Sequence, residues 1–277
     1  MAADKGKQFE YAIMLAAYNR LPKPLPNEVK GTYDNIMRVT NNGKAIASDV
    51  KTAAKNMMDK IQPGGDAARK KFYASFRQLG GGAGGGGEPK TDILFYKLGK
   101  KYRCSLKWGD SYQLSSAGIS KTAEVLKKVL KKTKSLSGES SEEIASVLTE
   151  LENNLGKLPK KGEQAVIKRA LAKNQELQER LESILGTRKS PKVSEGYRQF
   201  KEAVVKESIT GELLFGTNND ATADHILNEK ELKPISRELI KEVADLTYVR
   251  LRLKGRGKTS DGVRLNELVV TIEPKPK

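Results

Sequence analysis

The chain reads as an α+β protein: a small mixed β-sheet flanked by helices, with an inserted helical hairpin and a C-terminal β-hairpin. Three observations predict this. Residues 93–108 hold two short apolar runs around a Gly-containing turn, the pattern of a β-hairpin. Long stretches before and after them carry apolar residues at helical spacing. Near the C-terminus Val249, Leu251 and Leu253 alternate with Arg250, Arg252 and Lys254, then a Gly-rich turn leads to a second alternating run.

From the N-terminus, Phe9, Ile13, Ala16 and Ala17 form one face of a helix over residues 7–20, which Pro22, Pro24 and Pro26 end. A helical run over 33–61 is interrupted at Asn41-Asn42-Gly43. Pro63-Gly64-Gly65 stops it, and Asp66 opens a helix bearing Phe72 and Phe76. Gly80 to Gly87 is glycine apart from Ala83; it lacks the Gly-Lys-Ser/Thr ending of a phosphate loop and precedes a strand, so it predicts a flexible link.

The hairpin organises the chemistry. Asp92 opens its first strand and Lys107 closes its second, so antiparallel pairing brings both to one end of the sheet. Ser105 and Lys107, two residues apart, share a face. A carboxylate and a lysine so placed can hold a divalent metal and activate water. Trp108 and Tyr112 flank the site, and Trp108 reads as core. Cys104, the single cysteine, excludes an internal disulfide and a thiolate zinc cluster, and reads as a small buried residue.

This stretch resembles the PD-(D/E)XK nuclease superfamily, whose fold is restriction-endonuclease-like, and its wording is similar to uncharacterised proteins of tailed bacteriophages. The resemblance spans about the first half of the chain. It implies that Asp92 is the first acid and Lys107 the lysine, that Glu10 is the supporting carboxylate of the first helix, and that Gln113 is the polar residue after the lysine. Ser105 departs from the family, which has an acid there. The missing metal ligand is then expected from Glu88 or Glu124, with Asp92, around Mg²⁺.

Charge points the same way. The chain has 51 Lys and Arg against 34 Asp and Glu, a net +17, which favours a polyanion partner and DNA first. Lys121 and Lys128, on a helix expected over 119–132, and Arg250, Arg252 and Lys254 on the C-terminal hairpin are the candidate nucleic-acid contacts. Ile144, Leu148, Leu151 and Leu155, then Ile167, Leu171, Leu181 and Leu185, predict two helices in antiparallel array, docking on other virion or packaging subunits through residues 140–185. The domains expected are a core over 1–135, this insertion over 136–190, and a C-terminal part over 191–277. In that last part a short helix is expected over Asp224 to Asn228, and the alternation slips by one near Asn266, which predicts a bulge.

Other chemistries fall away. His225 is the only histidine, expected as a hydrogen-bonded surface or turn residue, so neither a His-pair metal site nor a catalytic triad is available. Gly257-Lys258-Thr259 lacks the upstream glycine of a nucleotide loop. No apolar run approaches the ~20 residues that span a bilayer, and Met1 to Lys7 has no apolar core of a secretory signal. The expected function is a phage-type, Mg²⁺-dependent DNA nuclease or nuclease-like DNA-binding protein in host cytoplasm or virion. The alternative is a non-catalytic virion or DNA-packaging component that keeps the fold and contacts DNA or acidic subunits.

Overall fold

A computed structural model describes residues 5–79, 89–109, 114–133, 136, 138–153, 174–258 and 264–275, with backbone alone at 115, 116, 253–258 and 264–268. The protein is α+β, as expected, with ten helices and two small sheets among the described residues. It forms two compact units: Met1–Asp110 with Thr210–Ile235, and Ser111–Ile209 with Ser236–Lys277. Chain cuts expected after 135 and 190 do not coincide with this division.

The first unit opens with α1 (Lys5–Tyr18), which buries Phe9, Ile13 and Ala17 and also Ala12, Met14, Leu15 and Tyr18. Burial on nearly every side marks a helix inside the core rather than on its surface. It packs on α2 (Asn27–Val39), α3 (Ser48–Ile61) and α4 (Asp66–Ala74). The break between α2 and α3 falls where expected: Asn41, Asn42 and Gly43 take φ of 49°, 56° and 79°. Asn and Gly are the residues that enter this left-handed region at least cost. Thr40 closes the helix end, its Oγ1 donating to the Ile36 carbonyl at 2.6 Å and accepting from Gly43 N at 3.0 Å.

The sheet of this unit begins with β1 (Arg77–Gln78), β2 (Ile93–Lys97) and β3 (Lys100–Leu106), paired antiparallel. Leu98 and Gly99, at φ 50° and 80°, make the two-residue turn whose twist suits a hairpin. Phe76 stacks on Phe95 at 4.7 Å, Phe95 on Tyr102 at 5.1 Å, and Tyr102 packs on His225 at 4.7 Å, an aromatic run across one face of the sheet.

The chain then enters the second unit through β4 (Ser115–Gly118), α5 (Ile119–Lys132), α6 (Gly138–Asn153), α7 (Gln175–Leu185) and α8 (Glu195–Thr210). It returns to the first unit with the short α9 (Glu212–Phe215), β5 (His225–Leu227) and β6 (Leu232–Pro234). The short helix expected over Asp224 to Asn228 is therefore strand. β5 pairs parallel with β3, Cys104 opposite His225, and all three of its residues are buried; pairing in the sheet outweighs local preference. His225 likewise is not at the surface: it is 7% exposed, with Nδ1 2.5 Å from Asp224 Oδ1. The sheet order is β1-β2-β3-β5-β6.

The second unit closes with α10 (Arg237–Leu246), β7 (Thr247–Lys258) and β8 (Arg264–Pro274), in a sheet of order β4-β8-β7. The predicted bulge is present: Gly255 pairs with Asn266 but Gly257 with Leu265, so one residue of β7 is left over. The helices expected as a separable hairpin are built into this unit. Ile144, Leu148, Leu151, Leu181 and Leu185 are buried as expected, α6 packing on α5 and α7, and α7 on β7; Leu155, Ile167 and Leu171 lie outside the described residues. The edge of β7 is also covered. Gln178 accepts from Leu251 N at 2.8 Å and donates to the Val249 carbonyl at 3.4 Å, while Val249 N donates to Gly186 O at 3.0 Å. Those bonds occupy groups that would otherwise template another strand.

Gly186 caps α7 at φ 90°, and a Cβ there would stand 2.2 Å from the Pro191 carbonyl oxygen. Gly186→Ala is expected to cost about 3 kcal/mol or more, through both clash and backbone strain, read as a fall in urea midpoint. The same Pro191 carbonyl accepts from Lys201 Nζ, on α8, which is 2% exposed. Burial lowers the Lys201 pKa from 10.5 to about 8, against the opposing pull of Asp245. Between those two values the unfolded chain holds a proton that the folded chain has released, so stability rises with pH. Wild type should therefore gain up to about 3 kcal/mol on Lys201→Met from below pH ~8 to pH ~10.5. A difference that stays flat across that window in paired denaturation curves would reject the buried amine.

Candidate functional site

Strand pairing builds the site as the hairpin predicts. Asp92 N donates to the Cys104 carbonyl at 2.9 Å, and Asp92 Oδ2 accepts from Leu106 N at 2.6 Å. The Asp92 carboxylate is thus fixed against the end of β3. One residue on, Lys107 N donates to the Leu227 carbonyl at 3.0 Å, which ties it to β5. Burial lowers the pKa of the half-buried Lys107, and the Asp92 charge opposes that shift, so the two side chains share one local field.

Glu10 comes to the same field from α1. It is 4% exposed; Lys7 Nζ donates to its Oε2 at 2.6 Å and Gln78 Nε2 to its Oε1. Burial raises the pKa of Glu10 above the usual value; Lys7 and Gln78 pull it down, and Asp92 pushes it up again. Lys7, whose burial acts to lower its pKa, is nonetheless raised, by Glu10 first and with a contribution from Asp92. Glu10 and Lys107, two of the four expected catalytic residues, are therefore electrostatic neighbours of a third, Asp92. The fourth, Gln113, and the candidate ligand Glu88 lie outside the described residues.

Ser105, which stands where the resembled family has an acid, is 3% exposed and sits opposite Ile226 in the sheet. Trp108 is partly buried at the edge of the core, its ring 5.4 Å from Phe9, with Lys5 Nζ 5.6 Å from its ring centre. Cys104 is fully buried, and burial raises its thiol pKa well above the usual value. Among the described residues no three His, Cys, Asp or Glu side chains are grouped to hold a metal ion.

The other expected site residues belong to the second unit. Glu124, on α5, is exposed and accepts from Lys128 at 2.7 Å and from Lys121 at 3.1 Å. Those lysines hold its carboxyl below the usual range. Lys121 and Lys128, expected on nucleic acid, are thus paired with the residue expected on metal. On β7, Arg250 is ion-paired with Glu273 at 2.8 Å and Arg252 Nε donates to Thr271 Oγ1 at 2.7 Å. The basic face read from the alternation is partly neutralised, because Glu273 on the neighbouring strand falls within reach of Arg250. The Lys254 side chain lies outside the described residues.

Three residues that sequence reasoning did not single out belong to this end of the first unit. Lys7 and Gln78 hold Glu10. Glu229, just past β5, accepts from Gly109 N at 3.1 Å, beside the chain leaving Lys107. Lys7 stands three residues before Glu10, a spacing at which helical side chains meet, and that signal was readable. Gln78 and Glu229 reach the site only through sheet pairing. Comparison with protein-family models, curated proteins and solved structures finds no match. No helix among the described residues is long and apolar enough to cross a membrane.

Asp92 carries a structural duty besides any chemistry. Asp92→Ala leaves the Leu106 N–H without its acceptor and should cost about 1–3 kcal/mol, whereas Asp92→Asn keeps an acceptor and should cost less. Equal losses for the two in urea denaturation would reject that duty.

Proposed function

We propose that the end of the first unit's sheet carrying Glu10, Asp92 and Lys107 is a nuclease-like phosphodiester site in a protein that contacts DNA. The observation that carries this reading is position: the Asp92 carboxylate is fixed at 2.6 Å on Leu106 N, the residue before Lys107, and its charge bears on Lys107 and on Glu10 and Lys7 of the first helix. A first helix bearing Glu, a strand opened by Asp and a neighbouring strand closed by Lys, in a mixed sheet, is the order in which the chain resembles the PD-(D/E)XK superfamily. The net charge of +17 suits a polyanionic substrate.

The group this reading calls for is a hard divalent ion. Mg²⁺ is commonly held by one or two carboxylates, with water and phosphate oxygens completing its shell. Asp92 would hold it, and Glu10 is the second carboxylate of the same field. Bound there, the ion would supply Lewis-acid polarisation of a phosphoryl oxygen and a more acidic water. Leu106 N–H keeps the Asp92 carboxylate in one orientation, and Lys7 with Gln78 do the same for Glu10. Lys107 sets a positive charge beside the phosphate, where charge builds in the transition state. Its depressed pKa brings it nearer the range in which it can exchange a proton.

A second reading, a non-catalytic virion or packaging component that holds DNA, is favoured by one observation. The position of the family's second acid is a buried serine, and both Glu10 oxygens already accept from Lys7 and Gln78. A plasmid-nicking assay with Mg²⁺, Mn²⁺ or EDTA separates the two. For the nuclease, cleavage is expected only with metal, and Asp92→Asn or Lys107→Met should slow it by about 10²-fold or more. If folded, DNA-bound wild type and Asp92→Asn are equally inert with every metal, the non-catalytic reading stands and the nuclease reading is rejected. In both, DNA affinity should fall steeply as salt is added; no binding at low salt rejects both.

A further inference from the structure

The first unit holds a cavity of about 550 Å³ built from α1, α2 and α3. Its volume lies within the ~300–1,000 Å³ of small-molecule sites. Ala12, Leu15 and Ala16 of α1 line it, with Met37 and Tyr33 of α2, so one side of its mixed surface is apolar and includes an aromatic ring. Lys51 and Lys55, both exposed and a turn apart on α3, and Arg20, two residues past α1, also line it, and no carboxylate does.

The charges are not balanced locally. Lys51 and Lys55 stand at i and i+4, where like charges repel on a helix. Among the described residues neither has a carboxylate partner; Asp49 is taken by Lys5, and Asp59 by Arg20. Arg20 is held in place by the Ala16 carbonyl at 2.6 Å and Asp59 at 2.5 Å, so its charge is offset by Asp59 and the uncompensated charge is that of the two lysines. Lys23, with Nζ 4.5 Å from the Tyr33 ring centre, adds another cation beside the cavity. The Asn41-Asn42-Gly43 turn, in left-handed conformation over three residues, supplies Asn42 and Gly43 to the lining. Backbone held in sparsely populated conformations recurs at ligand sites.

We infer that the α1–α2–α3 cavity binds a small organic anion, its apolar or aromatic body against Ala16, Met37 and Tyr33 and its acidic group at Lys51 and Lys55. An anion there offsets the repulsion between the two lysines, and the apolar wall selects against inorganic ions. This site shares no residue with the Glu10–Asp92–Lys107 cluster, so it stands or falls apart from the nuclease reading.

The test uses the full chain and two fluorescent probes of similar shape: the anion 1-anilinonaphthalene-8-sulfonate and neutral N-phenyl-1-naphthylamine. Wild type should bind the sulfonate saturably at one site. Lys51→Glu with Lys55→Glu should weaken the sulfonate about tenfold or more, as two charge contacts are reversed, and leave the neutral probe nearly unchanged. Asn19→Trp, an exposed lining residue whose replacement fills the cavity without entering the core, should weaken both probes. Circular dichroism and melting curves confirm that each variant is folded. Sulfonate binding that is unsaturable, or unchanged in the folded double-charge variant or in folded Asn19→Trp, overturns the inference.

Discussion

Three residue pairs between β3 and β5, from Cys104–His225 to Leu106–Leu227, hold the first unit closed over a separation as large as the 121 residues between Arg103 and Asp224. A parallel pair always needs a crossover. Here the crossover is not a single helix but a chain segment that itself supplies most of a second unit. The pairing sets what surrounds the site. It gives Lys107 its backbone anchor on Leu227, brings Glu229 to Gly109, and seats Asp224 against Arg103. Asp224 accepts from the Arg103 main chain at 3.0 Å and from its Nε at 2.9 Å; burial acts to raise its pKa, but His225 and Arg103 together hold it below the usual value. The joint is thus fastened by backbone bonds and by a partly buried charge pair with satisfied partners.

The electrostatics of the Asp92 end follow from how deeply each group lies. Glu10 and Lys107 are pushed toward neutrality by burial, in opposite directions on the pKa scale, while Asp92 pushes both upward. Such a cluster is held together because each carboxylate has named donors: Leu106 N–H for Asp92, Lys7 and Gln78 for Glu10. Left unpaired, a buried charge would cost several kcal/mol in order of magnitude. Perturbed groups gathered at one sheet end are what a reactive site requires, and structural ion-pair networks share that property. Activity is therefore the measurement that distinguishes the two readings.

In the second unit, opposing charges are matched more closely than composition suggests. Arg180 reaches Glu150 and Glu143, Lys127 reaches Glu152, and Arg250 reaches Glu273. The exposed pairs contribute little to stability, of order 0–1 kcal/mol each. Their larger effect is on the surface field, because each carboxylate subtracts from a face that the sequence alone reads as basic.

Local patterns were legible wherever neighbours in sequence decide the outcome. The bounds of α5, the Asn41–Gly43 break, the turn at Leu98-Gly99 and the bulge between Gly255 and Gly257 all follow from periodicity and turn chemistry. So did the meeting of Asp92 with the end of β3, since a two-residue turn fixes the register of its hairpin. Strands β4 and β5 were not legible: four and three residues long, they exist because β8 and β3 offer them partners. The burial of Ser105 and His225, the hold of Gln78 on Glu10 and of Glu273 on Arg250, and the joining of α6 and α7 to α5 and β7 were decided in the same way. A residue's spacing determines which face it occupies; what covers that face comes from residues far along the chain, and only the folded structure brings them there.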